Sequence, residues 1–357
     1  MKWIVTFLVP VIFILLSPEI PAQAPTPDHP ARYHLIQVVD ATFLDKVNEA
    51  AHQGYRLIAM TAATGSLVAI MERIEQPAPF NYLAVPLRDT KKFKTTGKTK
   101  TEVAEQLNAA AEKGYRLHMT FGNLAVMEST TNPGHHYQYA LTSPNGFSYF
   151  KKDEISGLIA AGYHWAASTD AMFLIFERAA SSDPPRDGSE PQPRAPYSHF
   201  TFPENNFVRS DLPEKQLHKL ASEGARVVDF FGSPAQMILA MEEAVSPSSP
   251  YEYLVLKPKM QSQFALHAKM SKVEAADLTR AGQQGFRLLP VSAPAPPFVM
   301  EKAPGTTKHY AYQFITASRL SDLAEQLNDP STNSFHVAKL AATEEGLLVV
   351  LEKRDAE

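Results

Sequence analysis

The sequence predicts an α+β fold of six tandem βαββ units, each a three-stranded antiparallel sheet of order 1-3-2 with one helix on one face, the sheets packing between units. Three observations carry that expectation. A glycine-led phrase recurs at Gly54, Gly114, Gly162, Gly224 and Gly285, at spacings of 60, 48, 62 and 61 residues. Each copy closes on an apolar strand that ends in a glutamate. Each also opens on a strand whose aromatics alternate with other residues. With 49 more to Ser334 in the sixth copy the mean spacing is 56 residues, the length of one supersecondary unit, repeated.

The clearest copy is Gly54–Arg73, GYRLIAMTAATGSLVAIMER. Two apolar runs, Tyr55–Met60 and Leu67–Met71, flank small and polar residues, which writes a β-hairpin. Gly54 follows the helical stretch FLDKVNEAAHQ, where a left-handed residue ends a helix cheaply. The sixth copy, Phe335-His336-Val337 followed by GLLVVLEK, lacks the glycine; there Pro330 should stop the helix and Asn333 should take the left-handed turn.

The opening strands read Tyr33 with Leu35, Phe80 with Tyr82, Tyr137 with Tyr139, Tyr197 with His199, Tyr251 with Tyr253, and Tyr310 with Tyr312. Alternation with aromatics is a strand signature. Helices follow on apolar stripes: Leu44, Val47 and Ala51; Val103, Leu107 and Ala110; Ile155, Leu158 and Ile159; Leu320, Leu323 and Leu327. Asp211 with Pro213 opens the fourth helix, and Ser271 with Glu274 forms a capping box for the fifth. The closing strands are apolar on both faces, as in Phe173–Phe176 and Leu348–Leu351, so each belongs at the centre of its sheet. A right-handed crossover from first to second strand then leaves the third between them.

One face of each sheet takes the helix. The other still carries residues such as Ile58, Met60, Val68 and Ile70, too apolar to stay wet, so it must pack on another unit. A lone unit of this size would be marginal.

A charge pair accompanies every copy. Two residues after the glycine position stand Arg56, Arg116, His164, Arg226, Arg287 and His336; the closing strands carry Glu72, Glu128, Glu177, Glu242, Glu301 and Glu352. In an unbulged hairpin, opposed residues have their midpoint in the turn. The midpoints are 64, 122, 170.5, 234, 294 and 344, each inside a turn-like sequence, so cation and acid should be directly opposed across the strands. Two readings stay open: register-setting pairs of small energetic value, or pairs that converge to line a site for a charged ligand.

The expected organisation is a signal peptide at 1–24, units at 31–75, 79–130, 135–180, 197–245, 250–303 and 308–354, and a proline-rich linker at 181–196. Lys2, the apolar run WIVTFLVPVIFILL and Ala22-Gln23-Ala24 have the layout of a secretory leader cleaved after Ala24, leaving no membrane span. There is no cysteine, hence no disulfide and no cysteine-linked lipid, and the expected location is the bacterial periplasm or exterior. The formal charge of −4 argues against nucleic acid as a bulk partner.

Tyr251-Glu252-Tyr253-Leu254-Val255, Gly54-Tyr55-Arg56-Leu57 and Phe176-Glu177-Arg178 together resemble a small family of uncharacterised bacterial βαββ domains, worded near YEYKVV, EGWELV and FKR. All six units fit the pattern loosely. The resemblance implies the fold and carries no activity.

Chemical motifs fail on inspection. Gly97-Lys98-Thr99 would end a phosphate loop, but Lys92 stands where the first glycine is required. The basic stretch holding Arg88, Lys91, Lys92, Lys94, Lys98 and Lys100 could touch an anionic glycan or headgroup. His135 and His136 are adjacent on an extended segment, so their side chains diverge, and no zinc spacing occurs. No nucleophile elbow is present. A glycosidase needs one protonated carboxyl, whereas each closing glutamate has a cation beside it. The paired tyrosines could form an aromatic platform or simply a core with hydroxyls at its rim. No catalytic, metal or cofactor residue is assigned. The expectation is a non-enzymatic binding or scaffolding module with a protein or glycan partner in the envelope; the alternative is an envelope hydrolase with a site between units.

Overall fold

The structure is a computed structural model and describes residues 31–39, 42–63, 65–74, 80–87, 97–129, 136–142, 152–169, 173–180, 197–201, 214–233, 236–244, 250–256, 272–289, 298–343 and 346–354. The leader, the linker 181–196, most of the basic stretch at 88–96, His135 and the openings of the fourth and fifth helices lie outside those residues.

Six βαββ units follow one another. The first is β1 (Tyr33–Val38), α1 (Phe43–His52), β2 (Tyr55–Ala63) and β3 (Ser66–Arg73); the second is β4 (Tyr82–Pro86), α2 (Gly97–Ala111), β5 (Tyr115–Phe121) and β6 (Leu124–Ser129). The third is β7 (Tyr137–Thr142), α3 (Lys152–Ala160), β8 (His164–Ser168) and β9 (Leu174–Ala179); the fourth is β10 (Tyr197–Thr201), α4 (Glu214–Ser222), β11 (Ala225–Ser233) and β12 (Gln236–Ala244). The fifth is β13 (Glu252–Leu256), α5 (Lys272–Gln283), β14 (Arg287–Leu288) and β15 (Phe298–Lys302); the sixth is β16 (Tyr310–Ala317), α6 (Leu320–Leu327), β17 (His336–Thr343) and β18 (Gly346–Arg354). Every sheet has the order 1-3-2, with all pairings antiparallel.

The central strands are sealed on both faces: Val68 to Met71, Leu174 to Phe176 and Val349 to Leu351 are all fully buried or nearly so. Gly54, Gly114, Gly162, Gly224 and Gly285 have φ of 84–96°, the left-handed turn that releases each helix into its second strand. The sixth unit solves that exit differently. Its helix ends at Leu327, a short 3-10 turn runs Pro330–Thr332, and Asn333 is right-handed (φ −57°), which corrects the expectation of a left-handed asparagine.

The register is as the midpoints require. Arg56 faces Glu72, Arg116 faces Glu128, His164 faces Glu177, Arg226 faces Glu242, Arg287 faces Glu301 and His336 faces Glu352. The assumption of unbulged hairpins fails, however. In five hairpins one extra residue of the second strand stands between the charge row and the turn: Ile58, His118, Ala166, Val228 and Ala338. A bulge displaces the turn by only half a residue in midpoint, so it leaves the charge row opposed while kinking the strand.

The hydrophobic cores do not coincide with the units. Each of six clusters takes the helix and helix-facing side of one sheet together with the opposite side of the next. Phe43, Val47, Leu57 and Met71 of the first unit pack with Tyr82 and Val126 of the second; Leu107 and Met127 of the second pack with Tyr139 and Ile175 of the third. Ile155 and Trp165 meet Ala240, Leu217 and Met241 meet Tyr253 and Val299, and Leu278 and Met300 meet Tyr312 and Val350. The sixth cluster joins the ends: Leu323, Leu327 and Val349 of the last unit pack on Tyr33, Val68 and Ile70 of the first. The six units, as far as their described residues go, therefore form a closed ring.

Closure follows from the shape of one junction. Each helix separates its own sheet from the first strand of the next unit, α1 lying on β4 and so on to α6 on β1, whereas second strands touch directly, as β17 does β2 and β5 does β8. A layer thick at the helix and thin at the second strand is a wedge. Repeated in one sense, wedges turn until the last meets the first, with the second strands innermost.

Candidate functional site

The chemistry is concentrated at the junctions, where the edges of the sheets must be closed because no backbone ladder joins one sheet to the next among the described residues. At the outer edge a helix residue six before the exit glycine does this. The Asn48 amide donates to the Tyr82 carbonyl (3.1 Å) and accepts from the Tyr82 N–H (2.6 Å), and Asn108 treats Tyr139 identically. Asn328 of the last unit does the same to Tyr33 of the first, at 3.0 and 2.8 Å. In the fifth unit Thr279 donates to the Tyr312 carbonyl.

At the inner edge the opening-strand tyrosine takes over. Tyr82 accepts a hydrogen bond from the Leu57 N–H (2.9 Å) and donates to Glu128 of its own unit (2.8 Å); Tyr139 links Leu117 to Glu177, Tyr253 links Val227 to Glu301, and Tyr312 links Leu288 to Glu352. These hydroxyls are held far above the ordinary tyrosine range, first by burial and then by the adjacent glutamate charge. They act as fixed donors and not as proton-transfer groups.

The glutamate then receives the cation of the preceding unit. Arg56 grips Glu128 with Nε and Nη2 at 2.9 and 2.8 Å, Arg116 grips Glu177, Arg226 grips Glu301 and Arg287 reaches Glu352. The fork geometry is the strong form of an arginine–carboxylate contact. Burial would lower Arg56, but the hydrogen bond and charge of Glu128 outweigh it and raise it above its usual value. Opposed in register, Arg56 and Glu72 are thus not ion-paired: each arginine side chain leaves its own sheet and bridges to the next. Glu72 is held instead by Arg32 (2.6 Å), which also donates to His336 Nδ1 (2.9 Å) and the Asn333 carbonyl, so the ring's closing junction has its own arginine.

The pairs do not converge. Arg56–Glu128, Arg116–Glu177, Arg226–Glu301 and Arg287–Glu352 each lie at a separate junction, and each of those glutamates also accepts from a tyrosine hydroxyl. Nor do Tyr82, Tyr139, Tyr253 and Tyr312 offer a platform, since all four are buried. Among the predicted chemical residues, Gly97 opens α2 and His136 is an exposed residue before β7. No group of three or more His, Asp or Glu suited to a metal occurs among the described residues.

Two junctions depart from the pattern, neither of them visible in the motifs. Between the third and fourth units, Ser168 donates to Asp229, both buried, while Thr120 donates to the Ser168 carbonyl (2.6 Å), stitching β5, β8 and β11 together. Between the fifth and sixth, the amine of Lys339 is sealed from solvent. A third residue that motif reading misses is His118, which donates from Nε2 to the Leu57 carbonyl (2.7 Å); burial drives its pKa down, against the pull of Glu128. Alignment of the second strands on the helix-exit position is the signal that finds them: Asp229 and Lys339 fall in the column of Ala59 and Ala167, and His118 in that of Ile58 and Ala166.

No family model matches the chain, and neither the curated proteins nor the solved structures contain a match.

Proposed function

We propose that the chain is an exported, non-enzymatic ring that serves as a binding or scaffolding module in the bacterial envelope, taking an anionic glycan on the rim where the strand-to-helix connections emerge. The observation that supports it is the disposition of variety. Faces, edges and charges of the sheets are consumed in holding the ring, and they repeat from unit to unit. What varies is the connection from first strand to helix, which runs from two residues (318–319) in the sixth unit to the stretch 257–271 in the fifth. Antiparallel order puts the start of all six connections on one rim, beside the hairpin turns, and insertions gathered on one face of a repeat array are the usual seat of binding. Two of them are basic, with Arg88, Lys91, Lys92 and Lys94 in one and Lys257, Lys259 and Lys269 in the other.

The hydrolase alternative finds its best support in Ser168 and Asp229, but at 0% and 4% exposure neither is presented to a substrate. The test is retention of the purified chain on lipopolysaccharide, teichoic acid and peptidoglycan sacculi, with neutral dextran as control. A variant with 88–96 and 257–271 replaced by the short connection of the first unit should fold and lose retention. Equal retention by that variant, or none by the natural chain on any polyanion, sinks the reading. Hydrolysis of any of these polymers would replace it with the alternative.

A further inference from the structure

Lys339 stands one residue past the bulge of β17, paired in register with Val350. That column holds Ala59, Met119, Ala167 and Asp229 in other units, so the fold does not require a cation there. Directly opposed residues share a face, and Val350 belongs to the cluster formed with the fifth unit, so the lysine points into the junction between the fifth and sixth units. Its Nζ lies 5.6 Å from the centroid of the Phe298 ring and has no hydrogen-bond partner among the described residues. Burial lowers it from 10.5 to about 8. By contrast Arg32, Arg56, Arg116, Arg226 and Arg287, at other points of the junctions, each grip a carboxylate.

A desolvated amine without a counter-ion is the arrangement that makes lysine a nucleophile. The residue as a whole keeps partial exposure while its amine has none, and the Phe298 ring stands beside the amine as an apolar wall.

We propose that Lys339 is a reactive lysine that condenses with a small carbonyl compound of apolar body, an aldehyde or ketone, in the junction of the fifth and sixth units. The amine lone pair attacks the carbonyl carbon to give a carbinolamine; its oxygen leaves as water with the two amine protons, and an imine remains. No oxidant or reductant is consumed. The site is independent of the rim invoked for glycan binding.

The experiment uses the full chain with benzaldehyde at pH 7.5 and cyanoborohydride to fix any imine as a secondary amine, followed by digestion and peptide mass analysis over time. Because the free-base fraction near neutrality rises by more than a hundredfold, and part of that is lost to weaker nucleophilicity, Lys339 should label at least ~10-fold faster than exposed Lys46. Lys339→Arg should abolish that product and leave Lys46 labelling unchanged. A Lys339 rate equal to or below that of Lys46, or labelling that appears only in denaturant, overturns the proposal. The wild-type comparison stands whether or not the variant folds.

Discussion

Replacing Tyr82 by phenylalanine tests the ring's central device by removing one atom. The hydroxyl accepts from the Leu57 N–H at 2.9 Å and donates to Glu128 at 2.8 Å, inside a junction where Tyr82 is 3% exposed. Its loss strands a buried N–H, which costs about 1–3 kcal/mol, and deletes a hydrogen bond to a charged acceptor, worth about 1.5–3 kcal/mol. Glu128 retains Arg56, so part of the second amount is recovered, and the expected destabilisation is roughly 2–4 kcal/mol. Each helix packs between two sheets, so no unit has a core of its own and the ring should unfold as one transition, which makes the free energy measurable by urea titration. Tyr115→Phe is the control, because that hydroxyl makes no hydrogen bond among the described residues. If Tyr82→Phe and Tyr115→Phe differ by less than about 0.5 kcal/mol, the tyrosine is packing and not an edge cap, and the reasoning fails.

Three further outcomes follow from other junctions. A Cβ on Gly282 would stand 2.1 Å from the Tyr310 carbonyl oxygen, so Gly282→Ala should push α5 off β16 and lower stability by about 1–3 kcal/mol in urea titration, although alanine is the better helix former. Lys339 is depressed in the fold, so its neutral form is favoured there. The stability it contributes is complete above pH 10.5 and is lost as pH falls toward 8, leaving a full penalty at pH 7 of about 3 kcal/mol. Lys339→Met should therefore raise stability at pH 7 by up to that amount and flatten the curve between pH 8 and 10.5; an unchanged curve refutes the burial. His118 is likewise depressed, so stability should begin to fall as pH drops below the unfolded value of 6.5, and His118→Gln should remove that limb of the pH–stability profile.

The amino-acid sequence by itself determined the unit. Local signals suffice for it: left-handed glycines at Gly54 and Gly114 end helices, period-two aromatics mark strands, and double-sided apolar runs such as Leu348–Leu351 can sit only at the centre of a sheet. Even the opposition of Arg56 to Glu72 was legible, since register is arithmetic along one short hairpin. The sequence also said that the spare apolar face must be covered. What it could not say is by what, because Val68 and Ile70 demand only an apolar neighbour, and the helix of any unit would serve.

Tertiary structure decided that the covering follows one direction round a ring, and with it the partner of every charge. A guanidinium at a strand edge reaches as readily to the next sheet as across its own, and the choice belongs to where a carboxylate and a tyrosine hydroxyl have already been buried together. That is why Arg56 meets Glu128 seventy-two residues away and not the glutamate it faces. The same decision lies behind the departures: Asp229 and Lys339 look like unremarkable strand residues until the wedge between two units encloses them, and burial, not identity, gives them their chemistry.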